Sequence, residues 1–209
     1  MACHNRLSHI GADGVKLIEG KPDCRRRLGR PLDGDYYAGF FAAAERLGVP
    51  LLWHVADPEE FWDPHALPAW AARHGWGYGA EDVPKEQLYR EAEAVLERHP
   101  NLPVVLAHFY FLSADLERAA GFLRRFPSVR LDLAPGVEML FNFAARPDRA
   151  RQFFLEFADR ILFGTDIGAG HADAPAVPRA EMVMRFLATG ETFSPPVDAD
   201  ELLEPGSGR

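Results

Sequence analysis

Long apolar runs, paired cysteines and an excess of basic charge are all missing from this 209-residue chain. No stretch reaches the roughly 18 apolar residues of a membrane-spanning helix. The amino terminus, MACHNRLSHIGADG, has no apolar signal core. The sequence therefore predicts no membrane contact and a cytoplasmic location. Its two cysteines, Cys3 and Cys24, form no CxxC pair. That excludes a disulfide scaffold or a thiolate metal site and fits isolated thiols in a reducing compartment. A net charge of -8 argues against nucleic acid as a partner, because phosphate contact needs clustered Lys and Arg. The one basic cluster, Arg25-Arg26-Arg27, reads as a solvated loop. Nucleotide binding on an open sheet would need a glycine-rich strand–helix turn or a P-loop. Neither occurs, and Gly168-Ala169-Gly170 lacks the third glycine.

What the chain does contain is alternation. Short apolar runs at 14–19, 49–55, 103–108, 129–133 and 160–166 read as strands. Between and after them lie one-faced helical patterns at 35–47, 85–98, 147–158 and about 178–188. Another helix is predicted in SADLERAAGFLRRF, with Ser113 as its N-cap. Residues 56–84 form a long loop rich in aromatics, including Trp62, Trp70 and Trp76. Residues 190–209 read as a loose tail. Strict strand–helix alternation predicts an α/β fold with parallel strands and right-handed crossovers, in one domain covering 1–209.

Three chemistry-bearing residues close three of these runs. They are His54 in VPLLWHV, His108 in LPVVLAHF and Asp166 in RILFGTD. In barrels of alternating strands and helices, side chains at the carboxyl ends of strands converge on one face, which carries the chemistry. Singly, each residue has a structural explanation: a hydrogen-bonded core histidine, or a turn aspartate. Repetition of the same position sets a metal-assisted or acid–base site beside that explanation, and spacing alone leaves both open.

The segments GVPLLWHVADPEEFWD, LPVVLAHF and RILFGTDIG resemble consecutive blocks of the amidohydrolase superfamily, in the branch called amidohydrolase family 2. The resemblance runs from about Gly14 to about Leu187. It implies a partial (β/α)8 TIM-like barrel, whose five strand–helix units correspond to strands four to eight. It also implies a divalent metal, zinc, and a small-molecule substrate. The reaction would be water attack on an amide, ester or lactone, or a related decarboxylation. By the same resemblance, His54 and Asp166 match metal ligands, and His108 and Asp166 match catalytic residues. In GVKLIE the resemblance offers Lys16 or Glu19. Alternation places them on opposite faces, and Glu19, nearer the carboxyl end, is the candidate substrate contact.

The chain departs from that family in one respect. The family's first strand ends in a His-x-His pair that completes the metal shell, and no His-x-His is present. His4, His9, His65, His74, His99 and His171 do not supply one. A complete barrel has eight strands and typically about 250 residues, so the first three strands are expected to be missing. Two expectations follow: a truncated, non-catalytic homologue as the alternative to an enzyme, and self-association through unpaired sheet edges.

Overall fold

The computed structural model describes residues 12–135, 138–168 and 173–194. Five parallel strands form one sheet in the order β1-β2-β3-β4-β5. They are β1 Val15–Gly20, β2 Leu51–Val55, β3 Val104–Leu106, β4 Val129–Asp132 and β5 Ile161–Leu162. Every neighbouring pair is parallel, as the alternation predicts. β3 and β5 are shorter than the apolar runs suggest: β3 gives way to a 3-10 turn at Ala107, and β5 ends at Leu162.

The helices are α1 Pro22–Leu28, α2 Asp35–Leu47, α3 Ala69–Arg73, α4 Lys85–Arg98, α5 Leu116–Arg125, α6 Met139–Ala145, α7 Pro147–Glu156 and α8 Asp173–Ala188. Short 3-10 turns occupy Glu59–Trp62, Ala107–Phe111 and Ala158–Arg160. One sheet face packs against this helical layer. Leu51, Trp53, Val104, Leu106, Val129 and Leu131 all lie in the main core, and Trp53 meets Phe41 of α2 at 5.2 Å between ring centroids.

Two sequence expectations need correction. The Arg25-Arg26-Arg27 segment is helical in α1, with a proline in its first turn and Gly29 closing it at φ 62. Arg25 reaches the buried Glu91 with two hydrogen bonds of 3.1 Å, and Arg26 reaches Asp82 at 2.8 Å. Ser113 does not cap α5. Asp115 does, its carboxylate accepting from the Arg118 N–H at 3.0 Å, while the Ser113 hydroxyl oxygen accepts from Asn142. The 56–84 loop folds around a small cluster of its own, with Phe61, Trp70, Ala71 and Tyr78 buried together. The tail beyond 194 lies outside the described residues.

The other sheet face is open. Register sets Lys16, Leu52, Val105 and Arg130 side by side on it. Lys16 and Arg130 are exposed, and so are Ile18 and Leu162, at 48% and 38%. In a closed barrel this face would turn inward and be filled by layers of side chains. Leu131→Ala should therefore cost about 2–5 kcal/mol, whereas the neighbouring Arg130→Ala should stay within about 0.5 kcal/mol. Urea denaturation of the two variants checks this; comparable losses would mean that both faces are packed.

Candidate active site

His54 stands near the end of β2 on the open face, two residues beyond Leu52. Ala56 then adopts a left-handed conformation, φ 65, which folds the chain back on the imidazole. His54 Nε2 lies 2.9 Å from the Ala56 carbonyl oxygen and 3.1 Å from Asp57 Oδ1. Both are acceptors, so Nε2 carries a proton and donates to them, and the lone pair of the neutral ring is on Nδ1. Asp57 is buried, and its second oxygen accepts from the Tyr78 hydroxyl in a very short hydrogen bond. Burial, then the Asp57 charge and hydrogen bond, hold that phenol far above its usual pKa. Gly20 lets β1 close onto this corner: a Cβ there would come within 2.6 Å of the His54 carbonyl oxygen.

His108 follows β3 in an unusual turn. His108, Phe109, Tyr110 and Phe111 have φ values of 57, 56, 55 and 50. Consecutive left-handed residues without glycine are costly, at roughly 1–2 kcal/mol each. Asp132, at the end of β4, pins the turn: its Oδ1 accepts from the His108 N–H at 2.8 Å and the Ala134 N–H at 3.1 Å. The His108 ring points Nδ1 at the Ala134 carbonyl oxygen, 3.3 Å away. Nδ1 is therefore the protonated nitrogen and Nε2 keeps its lone pair.

The two imidazoles meet at 4.8 Å between centroids, inclined by 67°. Phe111 backs both, at 5.3 Å from His108 and 5.5 Å from His54. Burial drives the His108 pKa well below the ordinary imidazole range, with repulsion from His54 and Lys16 adding to it. His108 is neutral at pH 7. The Asp132 carboxyl is raised, by burial first. The Asp166 charge adds to this, while its amide hydrogen bonds and Lys16 oppose it.

Asp166 is not drawn into the pair. It is exposed, left-handed at φ 53, and its carbonyl oxygen accepts from Arg179 at 3.3 Å. Its charge reaches Asp132, but no hydrogen bond joins its carboxylate to either imidazole. Gly164 brings this segment against β4, since a Cβ there would lie 2.8 Å from the Ala134 nitrogen. Lys16 stands on the histidines' face. Glu19 falls in a register shift between Leu17 and Gly20, and its carboxylate accepts from the Ile18 N–H at 2.9 Å. His99 closes α4 and pairs with Glu45 at 2.9 Å, and His74 stacks on Trp76. His4, His9 and His171 lie outside the described residues.

Two imidazole lone pairs fall short of the three or more ligands a catalytic zinc takes. Among the described residues, no group of three His, Cys, Asp or Glu side chains could hold a metal ion. The donor set present does not fit a complete metal site. No helix among these residues is long and apolar enough to cross a membrane.

The family model described as Amidohydrolase matches residues 5–202. The chain belongs to the amidohydrolase family. No curated protein matches it. Among solved structures, it is similar to an uncharacterized TIM-barrel protein from Bordetella bronchiseptica, with 18% identity and a TM-score of 0.56 over 99% of this chain and 59% of that one. A candidate amidohydrolase from Staphylococcus aureus aligns at 19% identity and a TM-score of 0.53, over 90% of this chain and 62% of that one. A 2,6-dihydroxybenzoate decarboxylase from Rhizobium aligns at 20% identity over 74% of this chain and 55% of that one, with a TM-score of 0.36 too low to carry an argument. The amidohydrolase chain thus spans less than two thirds of these structures, and its sheet is part of a TIM barrel.

Sequence reasoning missed Asp57, Tyr78, Asp132 and Phe111. Asp132 was within reach: it is the penultimate residue of the run VRLDL, the place that His54 holds in VPLLWHV and His108 in LPVVLAHF. Removing its carboxylate leaves two buried N–H groups without acceptors. Asp132→Ala should cost about 2–4 kcal/mol, and Asp132→Asn, which keeps an acceptor oxygen, about half of that or less. Equilibrium unfolding of both variants decides; equal losses would point to the negative charge instead.

Proposed function

We propose that this amidohydrolase-family chain acts on a small-molecule substrate at the His54–His108 pair. The reaction is water attack on an amide, ester or lactone, or decarboxylation, in which the C–C bond to the carboxylate breaks, CO2 leaves and a proton takes its place on carbon. The observation that carries this reading is the meeting of two imidazoles at 4.8 Å between centroids, each with one ring nitrogen committed to fixed acceptors. A neutral, buried His108 suits a proton acceptor at Nε2. His54 offers Nδ1 to the substrate or to a divalent ion such as zinc. Asp166, on the segment after β5, supplies a carboxylate that can take up a proton at the open end of the site. Glu19, at the end of β1, remains the candidate rim contact for substrate.

The two-ligand donor set supports a second reading, in which the chain by itself is non-catalytic. A remnant with two ligands holds zinc weakly, since affinity comes from completing the coordination shell. One panel separates the two readings. Purified protein is assayed on esters, lactones and aromatic carboxylic acids, with and without added zinc. Turnover that falls about 10²–10⁴-fold in His108→Ala, together with zinc retention lost in His54→Ala, supports the first. No turnover on the whole panel, at either zinc level, sinks it and leaves the second.

A further inference from the structure

The buried Asp57 carboxylate meets one donor at each oxygen. His54 Nε2 lies 3.1 Å from Oδ1, but its proton is shared with the Ala56 carbonyl oxygen at 2.9 Å. The Tyr78 hydroxyl donates to Oδ2 undivided, in the very short hydrogen bond. A buried carboxylate stays ionised and in place only when donors satisfy it. A shared imidazole proton fixes the carboxylate plane poorly; an undivided phenol fixes it well.

The hydroxyl arrives from 21 positions away, on a loop built to hold it. The Tyr78 N–H donates to the Phe61 carbonyl oxygen at 2.7 Å. Its ring packs on Trp62 at 4.7 Å between centroids and joins Phe61 and Trp70 in the small second core. The loop is in turn fastened to α1 and the residue before it. Lys21 Nζ sits 4.5 Å over the Trp76 ring, and Arg26 donates to Asp82 at 2.8 Å. Asp82 also accepts from the N–H of Gly79, next to Tyr78, at 2.9 Å. Tyr78 is therefore held at its backbone, its ring and its hydroxyl.

We propose that Tyr78 is a positioning residue for His54: by fixing Asp57 it holds the imidazole at Nε2 and leaves Nδ1 to the site. The basic segment around α1 and the aromatic loop form the mount of this chain of hydrogen bonds. The inference rests on the reading of His54 as a working group, but the chain itself is measured without turnover.

The test follows two protons of the full chain by NMR with ¹⁵N-labelled histidine, His54 Hε2 and His108 Hδ1, as they exchange with water. Tyr78→Phe keeps the packed ring and removes the hydroxyl. It is expected to speed exchange at His54 Hε2 at least about tenfold, as for one lost hydrogen bond to a charged group. His108 Hδ1, held by the Ala134 carbonyl oxygen, is expected to keep its rate. Tyr89→Phe removes a different buried hydroxyl, which donates to the Tyr110 carbonyl oxygen, and is expected to leave His54 Hε2 unchanged. General loosening would instead quicken both imidazole protons, or act equally in the two variants, and either result overturns the proposal. So does unchanged exchange at His54 in a folded Tyr78→Phe. If that variant does not fold, the unmodified chain and His54→Gln decide. The Tyr78 hydroxyl proton is expected to be strongly deshielded, protected from water, and shifted in His54→Gln; a freely exchanging or unshifted hydroxyl overturns the proposal. These results hold whether or not the substrate panel shows turnover, so the positioning role and the proposed function fail separately.

Discussion

Four successive residues, His108 to Phe111, hold left-handed backbone torsions with no glycine among them. The candidate site depends on keeping them there. L-residues adopt this conformation singly and reluctantly, so the turn persists only because its surroundings fix it. Asp132 holds its first residue through the backbone amide. Packing holds the rest. Phe109 lies between Phe143 and Phe153, at 5.0 and 5.3 Å. Tyr110 packs on Tyr89 and Phe122, and the Tyr89 hydroxyl donates to its carbonyl oxygen at 2.9 Å. Phe111 turns the other way, onto the two imidazoles. One turn thus ties the helical layer to the face that carries the two histidines.

The same arrangement sets proton positions. Each imidazole spends one nitrogen on acceptors that its own neighbourhood provides: Ala56 and Asp57 for His54, and Ala134 for His108. The free lone pairs are consequently Nδ1 on one ring and Nε2 on the other. Such outer partners fix ring orientation and basicity in histidine sites generally. The cost is carried by buried groups, with Asp57 and Tyr78 sharing one short hydrogen bond and Asp132 raised by desolvation.

Much of this fold was legible in the sequence because short apolar runs have few alternatives as buried parallel strands. The runs around His54 and His108 are continuous and apolar, and the helix 85–98 carries a one-faced pattern, so both were placed closely. What escaped has a common physical reason. α1 is seven residues long and polar, stabilised by Arg25 reaching Glu91, 66 positions away. The turn at 107–111 looks like strand in sequence, since His-Phe-Tyr-Phe gives no glycine or proline to mark a left-handed path. Asp57 and Tyr78 are 21 positions apart, and only the folding of the loop brings them together. Local patterns report local preference; contacts made by distant segments leave no local trace.

The open sheet face and the two-ligand donor set describe one condition, a part of a barrel whose inward face is not filled among the described residues. What the chain does hold is a preset pair of imidazoles, each with one ring nitrogen committed to fixed acceptors. The direct measurement is the ¹⁵N chemical shifts of the histidine ring nitrogens at pH 7, read by long-range proton–nitrogen correlation and assigned with His54→Gln and His108→Gln. The account predicts a protonated Nε2 with a bare Nδ1 on His54, and a protonated Nδ1 with a bare Nε2 on His108. A doubly protonated His108, or rapid averaging between tautomers on either ring, would contradict it.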